Sequence, residues 1–202
     1  MSTKRTNPDK ITLGSGKTYI AEYDASKGMP SETEVCKPEN ELGKTKGGAQ
    51  LIYTTTQAKE TDDLGTVAKT RINAEEASLK LGSITFNGET LAKLADRCKI
   101  VSEAGGKRVL HIGGAGNAQG KCWVVCFHHI DPEDGDIWVM VRGSNKAGLS
   151  LTYAVDSGTK IEPEFEALPQ DNDGTLITYI EEIGEEGAAA ASSEEPDAAS
   201  EE

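Results

Sequence analysis

The 202-residue chain predicts a mainly β domain with one flanking α-helix, a β-sandwich or β-barrel built from short strands. Three observations lead there. Beyond residue 105, runs rich in Val, Ile, Thr and aromatic residues recur at 107–112, 121–130, 137–142, 149–155, 160–168 and 175–182. Turns of Gly, Asn, Asp and Pro part them. A single stretch, starting at Asn87, repeats its apolar residues with helical spacing. Finally, the length suits one ordinary domain whose core needs no metal or disulfide, with 36% hydrophobic and 27% charged residues.

Taken in order, residues 1–16 read as a flexible arm ending in the turn Gly14-Ser15-Gly16, and residues 17–183 as the domain. Tyr19, Ala21 and Tyr23 alternate with Thr18, Ile20 and Glu22, as in a half-buried strand. Residues 24–48 are polar and turn-rich, a long excursion of the kind that carries function or becomes ordered on binding. The Thr-, Ile- and Tyr-rich run 50–59 predicts a strand, the acidic segment 60–65 a turn, and 66–73 a second strand. Together, 44–73 predict an extended hairpin too polar on both faces to be core. Ala77, Leu79 and Leu81 mark one face of a further strand, and the apolar phase slips at Gly82-Ser83, which predicts a β-bulge.

The helix follows. Asn87 is placed to cap its first turn and Glu89 to face the positive end of its dipole. Leu91, Leu94, Ala95 and Cys98 make one apolar stripe, with Arg97 and Lys99 near the C-terminal end and Gly105-Gly106 beyond it. Among the later strands, 121–130 is apolar on both faces, Trp123, Val125 and Phe127 against Val124 and Cys126. It should be central and covered on both sides, by the helix on one. After Ile183 the Ala-, Ser- and Glu-rich stretch 184–202 cannot bury enough apolar surface to offset its ordering entropy, and is expected to be a disordered acidic tail.

The net charge is −13. Seven acids and no base lie from Glu185 onward, which leaves residues 1–184 at −6. An acidic body argues against tight binding of nucleic-acid phosphate, and the pairs Lys4–Arg5, Lys44/Lys46 and Lys107–Arg108 are too scattered to form a basic footprint. No apolar run approaches the roughly 20 residues of a membrane helix. The N-terminus has no apolar stretch behind its basic residues, so folding in a cytoplasm is expected. Cys122 and Cys126 fall in one predicted strand, where four residues span about 13 Å, beyond the roughly 7 Å Cα limit of a disulfide. Reduced, buried thiols are expected at all four cysteines, which include Cys36 and Cys98.

Candidate chemistry fails on its mechanics. Gly16-Lys17-Thr18 ends like a phosphate loop, but Ile11 stands where the first glycine belongs and a strand follows where a helix is needed. The glycine-rich segment 113–120 runs from strand to strand and reads as a hairpin tip, not a dinucleotide fingerprint. His111, His128 and His129 lie near Cys122 and Cys126 without a zinc spacing or a nucleophile phrase. Glu75-Glu76 and Glu181-Glu182 are sequence neighbours that point to opposite faces of a strand, which does not compose an acid and a base. No catalytic, cofactor-binding or metal-binding residue is therefore expected, and a binding or self-assembling protein is expected over an enzyme.

Four phrases, in order, bear a resemblance. ITLGSGKTYIAEYD, GGAQLIYTTTQ, TRINAEEASLKLGSITFNGETLAKL and EFEALPQDNDGTLITYIEE, spread over residues 11–183, resemble the tail tube protein, or major tail protein, of long-tailed bacteriophages of the siphophage type. The tube of a contractile apparatus is a close relative that these phrases do not separate. The resemblance implies a virion protein, made in the host cytoplasm, whose hexameric rings stack into a hollow tube for genome delivery. Each subunit would give strands to a continuous inner β-barrel and pack its helix outside. Its partners would be further copies of itself, a tail tip or initiator complex, a tape measure and a tail terminator, with no membrane. DNA would pass without specific binding, along a lumen expected to be acidic.

The 44–73 hairpin would reach a neighbouring ring, with Leu51, Ile52, Tyr53, Leu64, Val67 and Ile72 as candidate contacts. The acidic tail, outside the resemblance, is expected to project outward and discourage bundling. The alternative is a monomeric β-sandwich module for binding or virion decoration. It would need an aromatic platform, and most of the ten aromatic residues sit at predicted core positions.

Overall fold

A computed structural model describes residues 16–183 apart from 65, 154 and 157, and apart from the side chains of 83 and 84. The expected acidic tail lies outside the described residues, as does the expected arm, except for Gly16 at its end. Among the described residues the protein is mainly β, with ten strands and two α-helices. In chain order these are β1 (Gly16–Glu22), α1 (Glu32–Val35), β2 (Glu41–Gly43), β3 (Thr45–Thr61) and β4 (Ala68–Ile84). Then follow α2 (Gly88–Leu94), β5 (Cys98–Ala104), β6 (Lys107–Ile112), β7 (Trp123–His129), β8 (Ile137–Asn145), β9 (Glu164–Ala167) and β10 (Ile177–Glu181).

Eight strands form one antiparallel sheet in the order β2-β1-β7-β8-β9-β4-β3, with β10 paired to β8 beside that path. β5 and β6 pair separately. Strands β2 and β3 lie at opposite ends of the order, yet only Lys44 separates them in the chain. Its N–H donates to Thr85 Oγ1 at 2.9 Å, its carbonyl accepts from the Thr85 N–H at 3.0 Å, and the hydroxyls of Thr18 and Thr45 meet at 3.1 Å. The two ends of the path are thereby brought together.

β8 serves two partners on one side. Ile137–Val141 pair with β10, while Gly143–Asn145 pair with β9. The hand-over needs a glycine, because a Cβ on Gly143 would sit 1.8 Å from the Glu166 carbonyl oxygen. β9 in turn carries β4, with Phe165 opposite Leu79, so four residues join the long β3–β4 pair to the body.

The core follows from this layering. Ile20, Leu79, Leu81, Val125, Val141 and Phe165 are buried together on one side of the sheet, and Leu94 of α2 joins them. On the other side of β1, β7 and β8, Tyr19, Val124, Cys126 and Met140 pack under Val35 of α1. The central strand expected at 121–130 is therefore covered on both faces, by α1 on one and on the other by a cluster of Leu79, Leu81 and Phe165 that Leu94 of α2 joins. That corrects the expectation of one helix. It also corrects the half-buried reading of β1, where Thr18, Tyr19 and Ile20 are all buried.

Other elements shift for local reasons. The α2 helix stops at Leu94, and Ala95 is already extended (φ −107°, ψ 115°). Cys98, read as the last residue of the helical stripe, instead opens β5. Gly105 and Gly106, both at positive φ, make the two-residue turn that folds β5 onto β6. The predicted strands 66–73 and 77–81 are one continuous β4. The bulge expected beside Gly82 exists, but the extra residue belongs to β3: Gly47 and Gly48 together face Gly82. No strand forms at 149–153, although Leu149 and Leu151 pack against the core. The 113–120 segment connects β6 to β7 across two sheets and is not a hairpin tip.

Candidate assembly surface

The β3–β4 ribbon leaves the body where β9 stops supporting it. From Tyr53 outward and back to Glu76, every described residue is exposed. The nine residues Tyr53–Thr61 extend it by about 30 Å at roughly 3.4 Å per residue. Thr, Ile and Tyr favour the pleated conformation, and cross-strand pairs such as Glu60↔Lys69 add charge complementarity. Five basic and five acidic residues balance between 45 and 84.

The tip is organised by Asp62. Its carboxylate accepts from the Thr66 hydroxyl at 2.6 Å and the Val67 N–H at 2.7 Å, while the Asp62 N–H donates to the Val67 carbonyl at 3.1 Å. These bonds favour the ionised form and hold the Asp62 carboxyl below its ordinary range, the Thr66 hydroxyl foremost.

Register decides which candidate contacts share a face. Leu51 pairs with Leu79 and Tyr53 with Ala77. Between Thr56↔Ala74 and Gln57↔Ile72, Asn73 is an extra residue, a second bulge that reverses the phase of β4. Ile72 is thereby turned onto the face of Leu51 and Tyr53. Ile52, opposite Ser78, lies on the other face, and Leu64 and Val67 flank the tip. Leu51, Tyr53 and Ile72 are 40%, 52% and 47% exposed, and Leu64 and Val67 are 86% and 68% exposed.

At the root, Leu51 continues into a cavity of about 580 Å³ walled by Leu79, Phe127, Ile137, Val139 and Tyr179. Gly47 and Gly48, the bulged pair, form part of its rim. His129 also lines it, and its buried Nε2 has no hydrogen-bond partner and lies 3.9 Å from Asp131 Oδ2. No local sequence pattern encodes this groove, because its walls come from five strands. Leu51 joins the groove to the ribbon and Tyr53 follows it on the same face, while Thr55, Gln57 and Glu75 lie between Tyr53 and Ile72.

The residues weighed for chemistry are spread apart. Gly16, Lys17 and Thr18 lie within β1, paired to β7, with no helix behind them. His111 is opposite Lys99, not Cys122. His128 stacks on Trp138 with ring centres 4.8 Å apart and meets Asp136 at 2.8 Å, while His129 points to the opposite face. Glu75 and Glu76 pair with Thr55 and Thr54 on opposite faces of the ribbon. Among the described residues, no group of three or more His, Cys, Asp or Glu side chains is placed to hold a metal ion, and no helix is long and apolar enough to cross a membrane.

No protein-family model matches the chain, and no curated protein matches it.

Proposed function

We propose that this chain is the structural subunit of a phage tail tube, assembling as stacked hexameric rings into a conduit for DNA, and that it is not an enzyme. The observation that carries the reading is the ribbon. An isolated two-stranded hairpin is marginal in water, yet this one projects about 30 Å without cover from its own domain. A neighbouring subunit supplies the missing cover. The ordered phrases resembling tail tube proteins supply the rest of the proposal: a ring, a tube and a virion.

In this reading the Leu51–Tyr53–Ile72 face and the tip residues Leu64 and Val67 dock on the next ring, and the root groove receives apolar side chains from a neighbour. Each subunit adds strands to a shared inner barrel of roughly two dozen strands, wider than the 16–18 that already leave an aqueous channel. Continuous pairing around the ring removes the exposed sheet edges that would otherwise aggregate. An acidic lumen repels phosphate and lets DNA slide.

The test shortens the ribbon. Residues 57–73 are replaced by Asn-Gly, a two-residue turn suited to joining the paired Thr56 and Ala74. The product should fold with unchanged urea stability and stay dispersed under conditions in which the full chain forms tubes. Normal tubes from the shortened chain would refute the docking role.

A further inference from the structure

The excursion between β1 and β2 ends its short helix against the central strand with a thiol on each side. Cys36, the residue after α1, places Sγ 3.6 Å from Sγ of Cys126 on β7, across 90 residues of sequence. Cys126 is fully buried among Tyr19, Val35, Val124 and Met140, while Cys36 is partly exposed. One member is thus reachable from solvent and the other is held behind it. Cys98 is buried elsewhere, at the start of β5, and the Cys122 thiol faces the Gly143 carbonyl at 4.0 Å.

We propose that Cys36 and Cys126 form a dithiol modification site that closes to a disulfide on contact with a low-molecular-weight disulfide, locking α1 onto β7. The Cys36 thiolate attacks one sulfur of oxidised glutathione, forming a mixed disulfide and releasing one glutathione thiolate, which takes up a proton. Cys126 gives its proton to solvent, and its sulfur attacks Cys36 Sγ, displacing the second glutathione. Two protein thiols are oxidised and one glutathione disulfide is reduced to two thiols.

The electrostatics suit that order of attack. The hydrogen bond from Cys126 lowers the Cys36 pKa, and the same bond together with burial raises that of Cys126. The partly exposed sulfur is therefore the first nucleophile, and the buried one acts only when a mixed disulfide sits beside it. The lock acts where the excursion is weakly held, since α1 has a single turn and one fully buried side chain, Val35. Its timing rests on the tube reading: a particle assembled among reduced thiols meets oxidising surroundings on release.

The experiment uses the full chain, reduced and soluble, so that it does not depend on tube formation. It is exposed to oxidised glutathione, quenched with iodoacetamide in denaturant and mapped by mass spectrometry. The expected product is a Cys36–Cys126 cross-linked peptide pair, with Cys98 and Cys122 alkylated. Thermal unfolding should shift upward by several degrees and return on adding dithiothreitol. Cys36→Ser, a conservative change at a partly exposed position, should abolish the cross-link and the shift while keeping the reduced protein's midpoint. A stable glutathione adduct on Cys36 with Cys126 still alkylated would overturn the proposal, as would the same thermal shift in Cys36→Ser.

Discussion

Replacing Tyr53 and Ile72 together with threonine removes two apolar side chains from one face of the ribbon while keeping a β-favouring residue at each position. Tyr53 is 52% exposed and Ile72 47% exposed, so about half of each burial remains to be gained when a neighbour covers that face. Full burial of a large apolar side chain is worth about 1.5–3 kcal/mol, which leaves roughly 1 kcal/mol at each site. Together that is about 2 kcal/mol per subunit contact, or roughly 30-fold in association constant. Folding of the isolated chain should change by only about 0.5 kcal/mol, as expected of exposed positions. The assay pairs two readouts: the critical concentration for tubes, by sedimentation, and the urea midpoint of the dispersed protein. A critical concentration raised roughly 30-fold with an unmoved midpoint is the expected result. An unchanged critical concentration would refute the docking face. A stability loss well above 1 kcal/mol would mean that the two side chains pack within their own domain.

Two further outcomes follow from the geometry. Asn145 is 7% exposed; its Nδ2 donates to the carbonyls of Leu94 and Gly148, and its Oδ1 accepts from the N–H groups of Ala147 and Glu164. Asn145→Ala should therefore lower urea stability by about 3 kcal/mol, since buried polar groups lose their partners, and a loss below about 1 kcal/mol would deny that it ties α2 and β9 to β8. At the ribbon tip, the folded Asp62 pKa lies below the ordinary 3.8, so its stabilisation is complete above that value and fades as pH falls through the lower folded pKa. The protection factor of the Val67 amide, the factor by which it exchanges more slowly than an unprotected amide at the same pH, should hold above pH 3.8 and fall only in stronger acid, whereas in Asp62→Ala it should be low throughout.

The ribbon was legible in the sequence because it obeys a simple rule: alternating Thr-rich runs with polar residues on both faces have nowhere to be buried. Its face was less legible. Asn73 carries no glycine or proline signal, yet the bulge there sets the side on which Ile72 emerges. Without it, Ile72 would face Ala58 and emerge on the same side as Ile52. The stripe runs past the helix end because Leu94 and Cys98 are buried and Leu91 partly so, whether the backbone between them is helical or has turned into a strand. The pair Gly105-Gly106 was the available signal, a two-residue turn that asks for a strand on either side. Residues 149–153 show the converse. Leu149 and Leu151 pack against the core as residues of a strand would, but no ladder forms there, and the edge of β8 just before them is occupied by β9. Helix α1 spans four residues, too short for any periodicity, and its one clue was the Ser31–Glu34 capping pair, in which the Ser31 N–H donates to the Glu34 carboxylate at 3.0 Å. The groove and the Cys36–Cys126 contact are products of tertiary pairing between segments far apart in the chain, and no local pattern encodes either.

Self-assembly is tested most directly by electron microscopy of the purified full-length chain, concentrated in moderate salt to screen its charge. Hollow tubes or stacked rings of uniform diameter, with density for the ribbon bridging one ring to the next, are the predicted result. Dispersed monomers at every concentration and salt, persisting when a tail tip complex is added as a nucleus, would contradict the tube and leave a monomeric β module in its place.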